Sequence, residues 1–312
     1  MTKTKIIIAG IGGVGGYFGG LLAKKFYNND KVEICFVARG EHLTEIVNNG
    51  LKVIKGSNRF IAKPILATDN PSEIGIADFI IIGTKSYDLE TTIQQLGPCI
   101  NKNTIILPLL NGVDSKERIK SIFPENIVLD GCVYIVSRLK IAGVIENSGN
   151  IETLYFGLDN FVNEKLLLLE SLFKQANIEA TLSNDISKII WEKFIFISPT
   201  ATATSYFDKC IGEVLADNEK LKTLTALIEE IKQVAKTKQV AISEDITEKT
   251  LNKLKALPFK TTSSMHSDFQ NHKHKNELQS LTGYMVREGK KYNLSTPTYD
   301  KIYIKLRNKL EI

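Results

Sequence analysis

Gly10, Gly12 and Gly15 fall two and three residues apart in the run Gly10, Ile11, Gly12, Gly13, Val14, Gly15. A turn of this GxGxxG form acts through its backbone. Glycine lets the chain bend sharply, approach a pyrophosphate closely and bring a helix down onto a strand. The N–H groups at the start of the following helix then face the anion. A second chemical candidate is Lys193, with Ile189 and Ile190 one helical turn before it and Phe196 and Ile197 one turn after. On a helix those positions share its face, so the ammonium group is directed at an apolar surface. Desolvation there would lower its pKa toward the range of a proton donor. The same spacing also suits a lysine that buries its stem and reaches water with its head.

The elements that must position these groups are legible around them. Lys5 to Ala9 reads as a buried strand running into the glycine turn, and Tyr17 to Phe26 as the helix beyond it. That helix holds Gly19 and Gly20, and Gly16 directly precedes it. Glycine inside a helix costs about 1 kcal/mol against alanine, so close backbone approach is the better account of all three. Lys3 and Lys5 ahead of apolar residues would also open a secretory signal, but the glycines interrupt its apolar region.

Val32 to Val37 predicts a second buried strand, followed by Ala38, Arg39 and Gly40. An NAD-binding unit commonly places an acidic residue near this strand end for the ribose hydroxyl. A guanidinium in its place suits a 2′-phosphate and points to NADP as cofactor. A surface arginine closing a loop has the same local sequence, and Glu41 lies two residues on. Lys85 follows the strand-like run Asp78 to Ile82, and Asn111 follows Thr104 to Leu109. Strand carboxyl ends are where doubly wound sheets place ligands, although a solvent-facing lysine and an ordinary Asn-Gly turn would look alike here.

Strands alternating with helices over 120 residues predict an α/β fold with a parallel, doubly wound sheet. Residues 42–50 read as a helix and Gly50 to Pro64 as a hairpin-like insertion. Val128 to Phe156 has the alternation of strands that extend or edge the same sheet, and Glu164 to Gln175 reads as the last helix of the domain. Ser183, Asn184 and Asp185 supply capping residues for a new helix. The pattern beyond is almost wholly helical, so a Rossmann-type NADP-binding domain is expected over 1–182 and an all-helical substrate and catalytic domain over 183–312. Thr261, Thr262, Ser263, Ser264 and Met265 are able to donate hydrogen bonds to a carboxylate, or simply to begin a helix. His272 and His274 are interleaved with lysines and lack a cysteine or carboxylate pattern, so no metal is expected.

Composition narrows the function classes. Hydrophobic residues make up 43% of the 312 and charged residues 24%, as in soluble globular proteins. No run of about 18 apolar residues occurs, so no membrane span is expected. Cys35, Cys99, Cys132 and Cys210 are scattered, which fits a reducing cytoplasm. The net charge of +5 comes with dispersed lysines rather than an aromatic-rich basic patch. A phosphorylated small ligand fits that distribution at least as well as nucleic acid, and no nucleic-acid partner is expected.

In this order, GIGGVGG, Arg39 after the second strand, GTKSYD, LLNG, WEKF, TSSMHSDF, NELQSLTGY and TPTYD cover nearly the whole chain. The set resembles the ketopantoate reductase (2-dehydropantoate 2-reductase) family. The resemblance implies NADPH-dependent reduction of 2-dehydropantoate to pantoate, on the route to coenzyme A. Carried over by residue, it implies that the turn Gly10 to Gly15 holds the pyrophosphate and Arg39 the 2′-phosphate. Lys85 and Asn111 would lie beside cofactor and substrate, Lys193 would be the general acid, and Ser264 and Glu277 would bind the substrate. The implied partner is a small 2-keto acid, and a homodimer is among the assemblies this reading allows. Two positions where the family places substrate-binding asparagines hold Ile197 and Ile211, and the interval from Ser264 to Glu277 is one residue longer than usual. Losing a hydrogen-bond partner for a buried polar group costs about 1 to 3 kcal/mol, enough to redirect substrate preference tenfold. A reductase of another small 2-keto acid, or a non-catalytic NADP-binding regulatory protein, therefore stand beside the first reading.

Overall fold

The computed structural model describes residues 3–310. Strand β1 (Thr4–Ala9) is lined by Ile6, Ile7 and Ile8, all fully buried. Their β-branched side chains suit a strand covered on both faces. After the glycine turn come α1 (Gly13–Lys25), β2 (Val32–Val37) and α2 (Gly40–Asn49). A hairpin follows, β3 (Leu51–Lys55) and β4 (Asn58–Ala62), paired antiparallel with Lys55 opposite Asn58. The chain continues through β5 (Leu66–Thr68), β6 (Phe79–Ile82), α3 (Leu89–Gln95), β7 (Ile105–Pro108), α4 (Ser115–Ile122) and β8 (Ile127–Val128). Two long strands, β9 (Asp130–Ile141) and β10 (Val144–Gly157), precede α5 (Glu164–Gln175) and β11 (Glu179–Ser183).

Six strands form a parallel sheet in the order β5-β2-β1-β6-β7-β8. With the β3–β4 hairpin set aside, this is the 3-2-1-4-5-6 order of doubly wound dinucleotide folds. The order reverses between β1 and β6, so their carboxyl ends open the crevice in which such sheets hold ligands.

β9 and β10 do not extend or edge that sheet, as their sequence suggested. They belong to a separate five-stranded sheet with β3, β4 and β11. β10 pairs antiparallel with β9 and parallel with both β3 and β11. The physical reason lies in α1, which packs against both sheets. A Cβ on Gly19 would come within 3.0 Å of Ile8 in the first sheet. Cβ atoms on Gly16 and Gly20 would lie 2.7 Å from Ile145 and 2.8 Å from Val53 in the second. The expected close approach at these glycines is therefore made by two sheets, one on each side of the helix.

The rest is helical: α6 (Ile186–Phe207), α7 (Ile211–Ala216), α8 (Asn218–Thr237), α9 (Ile246–Lys255), α10 (Ser264–Gln270), α11 (Leu278–Tyr292) and α12 (Pro297–Asn308). The chain divides into two compact units, Met1–Leu110 with Ser115–Ile186, and Asn111–Asp114 with Ser187–Ile312. The four residues Asn111–Asp114, between β7 and α4, thus belong with the helices. In the helical unit Trp191, Phe194 and Tyr284 meet edge to face, with centroids 5.6 to 6.2 Å apart. Buried Glu230 accepts from the N–H groups of Thr298 and Tyr299 and so satisfies the start of α12. Among the described residues, no helix is long and apolar enough to cross a membrane. The fold is an α/β Rossmann-type unit followed by an α-helical one.

Candidate active site

The glycines of the first turn differ in what demands them. Gly10 has φ +85°, a region that disfavours side chains, and a Cβ there would lie 2.6 Å from Thr84. A Cβ on Gly15 would meet the Gly10 carbonyl oxygen at 2.2 Å, and one on Gly13 the Ser137 carbonyl oxygen at 2.2 Å. Gly12 is the exception. Its backbone is ordinary, at φ −87° and ψ −157°, and apart from its own chain neighbours nothing among the described residues lies within 4 Å of where its Cβ would stand. Neither packing nor backbone conformation requires glycine at that place, which leaves room for a ligand to approach the backbone closely.

Gly12 is also the N-cap of α1, whose first helical bond runs from Gly16 N–H to the Gly12 carbonyl. No side chain caps this helix and its first turn holds no acidic residue. The N–H groups of its first turn therefore have no acceptor within the helix. Two buried hydroxyls lie alongside without a hydrogen-bond partner, Thr84 Oγ1 and Ser137 Oγ. Such a hydroxyl costs about 1 to 3 kcal/mol unless a ligand satisfies it. An open glycine, uncapped N–H groups and orphaned hydroxyls together fit a dinucleotide phosphate. Ile11 is buried and Val14 half-buried, both packed with the core of this unit.

Arg39 is exposed at the N-cap of α2 and has no ion-pair partner among the described residues. A cation at a helix N-terminus opposes the helix dipole, and Glu41 in the first turn is the only acid there. An incoming phosphate would relieve that arrangement. Lys85 is likewise exposed and without an ion pair among the described residues, three residues beyond β6. Gly83, just before it, is a site residue missed in the sequence: a Cβ there would come within 2.7 Å of Gly15 N. Its only local signal was the GTKS run. Ser137 gave none, since it lies on the second sheet. His42 was also missed, and it touches the turn directly: its Nε2 donates to the Ile11 carbonyl at 2.7 Å. Burial pushes its pKa below the usual histidine value.

In the helical unit, Lys193 Nζ donates to Asn111 Oδ1 at 3.1 Å. Lys193 is half-buried, and Ile189, Phe196 and Ile197 on its face are half-buried with it. Asn111 precedes Gly112, whose φ of +106° turns the chain. A Cβ at Gly112 would lie 3.7 Å from the Ser280 carbonyl, so the turn sits on the first turn of α11. Arg287 of α11 pairs with Asp114 at 3.4 Å and holds the same segment. Glu277 is the buried N-cap residue of α11, 3% exposed, and its side chain does not cap the helix.

Ser264 is exposed at the start of α10 and makes no hydrogen bond to Lys193, Asn111 or Glu277. Its neighbour Ser263 accepts from His266 N–H and bonds Thr204 at 3.0 Å. Thr204 stands about 16 Å beyond Lys193 along α6, at 1.5 Å per residue. Buried His266 fixes this segment further, bonding Thr262 and pairing with Asp208 at 2.7 Å. That bond holds the Asp208 carboxyl below its usual range. Ile211 is buried and its N–H donates to the Thr261 carbonyl, which brings it to the same segment. The structure thus joins Lys193 to Asn111 directly and links Glu277 to them through the Asn111–Asp114 turn. Ser264 stands apart.

Known proteins share this arrangement of elements. The family described as ketopantoate reductase PanE/ApbA matches residues 6–160, and its C-terminal counterpart matches 185–310. The uncharacterized oxidoreductase YkpB of Bacillus subtilis is 29% identical over 97% of this chain and 98% of its own. A 2-dehydropantoate 2-reductase of Streptococcus pyogenes is 27% identical over 94% of this chain and 93% of its own. The crystal structure of 2-dehydropantoate 2-reductase from Porphyromonas gingivalis has a TM-score of 0.85 and 36% identity, covering 98% of this chain and 99% of that one. With both of its domains matched, the chain belongs to the ketopantoate reductase family and is an oxidoreductase with a nicotinamide cofactor.

Proposed function

We propose that this protein reduces a small 2-keto acid with NADPH, and that the acid is 2-dehydropantoate, giving pantoate. The observation that carries the proposal is the hydrogen bond from Lys193 Nζ to Asn111 Oδ1 at 3.1 Å. That bond holds the ammonium group in a fixed place, as positioning of a proton donor requires.

Arg39 binds the 2′-phosphate that distinguishes NADPH from NADH, Gly10 to Gly15 the pyrophosphate, and Lys85 adds positive charge at the strand end. NADPH, when bound, supplies the hydride for the keto carbon. Lys193 gives a proton to the keto oxygen, and its charge offsets the negative charge developing there. Asn111 aims the ammonium group. The buried Glu277 is suited to bind the acid's hydroxyl group, whereas Ser264, which stands apart from Lys193, would reach the acid's carboxylate only if its segment moved toward the site. The amine regains its proton from solvent after the hydroxy acid leaves. The four cysteines are free and three are buried, which fits a reducing cytoplasm.

A second reading is favoured by one feature of the same site. Ile197 stands half-buried on the face of α6 that carries Lys193, and Ile211 is buried at the start of α7. Neither offers a hydrogen bond to a substrate hydroxyl, so a 2-keto acid with an apolar side chain suits them better. NADPH oxidation measured against 2-dehydropantoate and a panel of apolar 2-keto acids separates the readings. Turnover best with 2-dehydropantoate supports the first, and turnover only with apolar acids the second. Tight NADPH binding without any turnover would leave a regulatory protein.

A further inference from the structure

His42 makes two hydrogen bonds whose partners are distant in sequence. The Gly143 N–H donates to its Nδ1 at 2.8 Å, and its Nε2 lies 2.7 Å from the Ile11 carbonyl oxygen. Nδ1 accepts, so Nε2 must carry the proton and donate; the two partners select one neutral tautomer. The ring is half-buried, in the first turn of the helix that Arg39 caps. Gly143, at φ +74°, lies in the turn between β9 and β10 of the second sheet. One imidazole therefore ties the glycine turn to α2 and to the second sheet.

The carbonyl it holds is the informative one. In a trans peptide the C=O and the following N–H point in opposite directions. Holding the Ile11 oxygen therefore fixes the direction of the Gly12 N–H. Gly12 is the residue whose side is open, with nothing within 4 Å of a Cβ there. Released from His42, the same peptide could rotate its oxygen toward that opening, where it would repel an anion. We infer that His42 is a positioning residue for the dinucleotide, orienting the Ile11–Gly12 peptide so that the Gly12 N–H faces the phosphate. The inference rests on the proposed NADPH site.

Glutamine offers one donor and one acceptor on a short planar group, as neutral histidine does, and alanine offers neither. NADPH binding by wild type, His42→Ala and His42→Gln is followed by nicotinamide fluorescence, and thermal unfolding of each shows that all are folded. Saturated turnover is compared with the best 2-keto acid. Loss of one fixed donor to a charged ligand predicts NADPH affinity on the order of tenfold weaker in His42→Ala. The loss is expected to appear in KM for NADPH far more than in kcat, with most of the affinity recovered in His42→Gln. Folded His42→Ala that binds NADPH like wild type overturns the inference, as does an equal loss in both variants. Failure of the wild type to bind NADPH would instead overturn the cofactor reading beneath it, and shows before any variant is compared.

Discussion

Lys193 Nζ and Asn111 Oδ1 meet at 3.1 Å although 82 positions separate them in the chain. The turn carrying Asn111 belongs to the helical unit, so the bond is made inside one compact body. Lys193→Ala is expected to lower turnover a hundredfold or more, the general-acid contribution, with NADPH affinity nearly unchanged. Asn111→Ala keeps the amine and removes the Oδ1 that accepts from it, so a smaller loss, on the order of tenfold, is expected. Steady-state rates at saturating NADPH, set beside NADPH binding, check both. Full activity in Lys193→Ala removes the lysine from the chemistry.

The local parts of this arrangement were legible because their signals are local. The β-branched run before Gly10, the glycine spacing and Arg39 after the second strand all lie within a few residues of the groups they position. The second sheet was not legible. Its pairings link Val144 to Lys52 and Thr153 to Glu179, and alternation marks a strand without naming its partner. The same limit hid His42, whose acceptor nitrogen is met by an N–H 101 positions away. Lys193 could be placed on an apolar helix face from spacing, but its acceptor in a turn after the fifth strand of the parallel sheet could not.

Gly12 and Gly15 belong to one motif and are expected to fail differently. Alanine at Gly12 enters open space at an ordinary φ, so the fold should lose no more than about 1 kcal/mol, in line with an N-cap exchange. Its methyl group would stand where the pyrophosphate approaches, and NADPH binding should fall at least tenfold. Alanine at Gly15 meets the Gly10 carbonyl at 2.2 Å, so β1 and α1 must separate. A lower unfolding temperature is expected there, in the apo protein. Thermal unfolding and NADPH titration of the two variants distinguish these outcomes, and equal destabilisation would refute the distinction.

Arg39 carries the choice of cofactor in the proposed reading. Its guanidinium is exposed at the N-cap of α2, where the helix dipole opposes a cation. Arg39→Ala should therefore leave stability unchanged or slightly raised. Loss of a charge-assisted contact to the 2′-phosphate should narrow the preference for NADPH over NADH by about tenfold or more. The ratio of kcat/KM for the two cofactors is the measurement. An unchanged ratio would take Arg39 out of the site.

His42 should also give the fold a pH dependence of its own. Burial lowers its pKa from the usual 6.5, so the folded state binds the proton less readily than the unfolded chain. The stability associated with the neutral ring is fully present above about pH 6.5 and is lost as the pH falls through the lower, folded value. Protonation removes the lone pair that accepts from Gly143 N–H, so the loss has a structural cause at that bond. Carboxylates held low by their partners, such as Glu90 beside Arg118, weaken the fold only in more acidic solution. Unfolding temperatures measured from pH 8 down to pH 5 should therefore hold level to about pH 6.5 and decline below it in wild type, and decline much less in His42→Gln. Parallel curves for the two proteins would show that the imidazole does not titrate in this window.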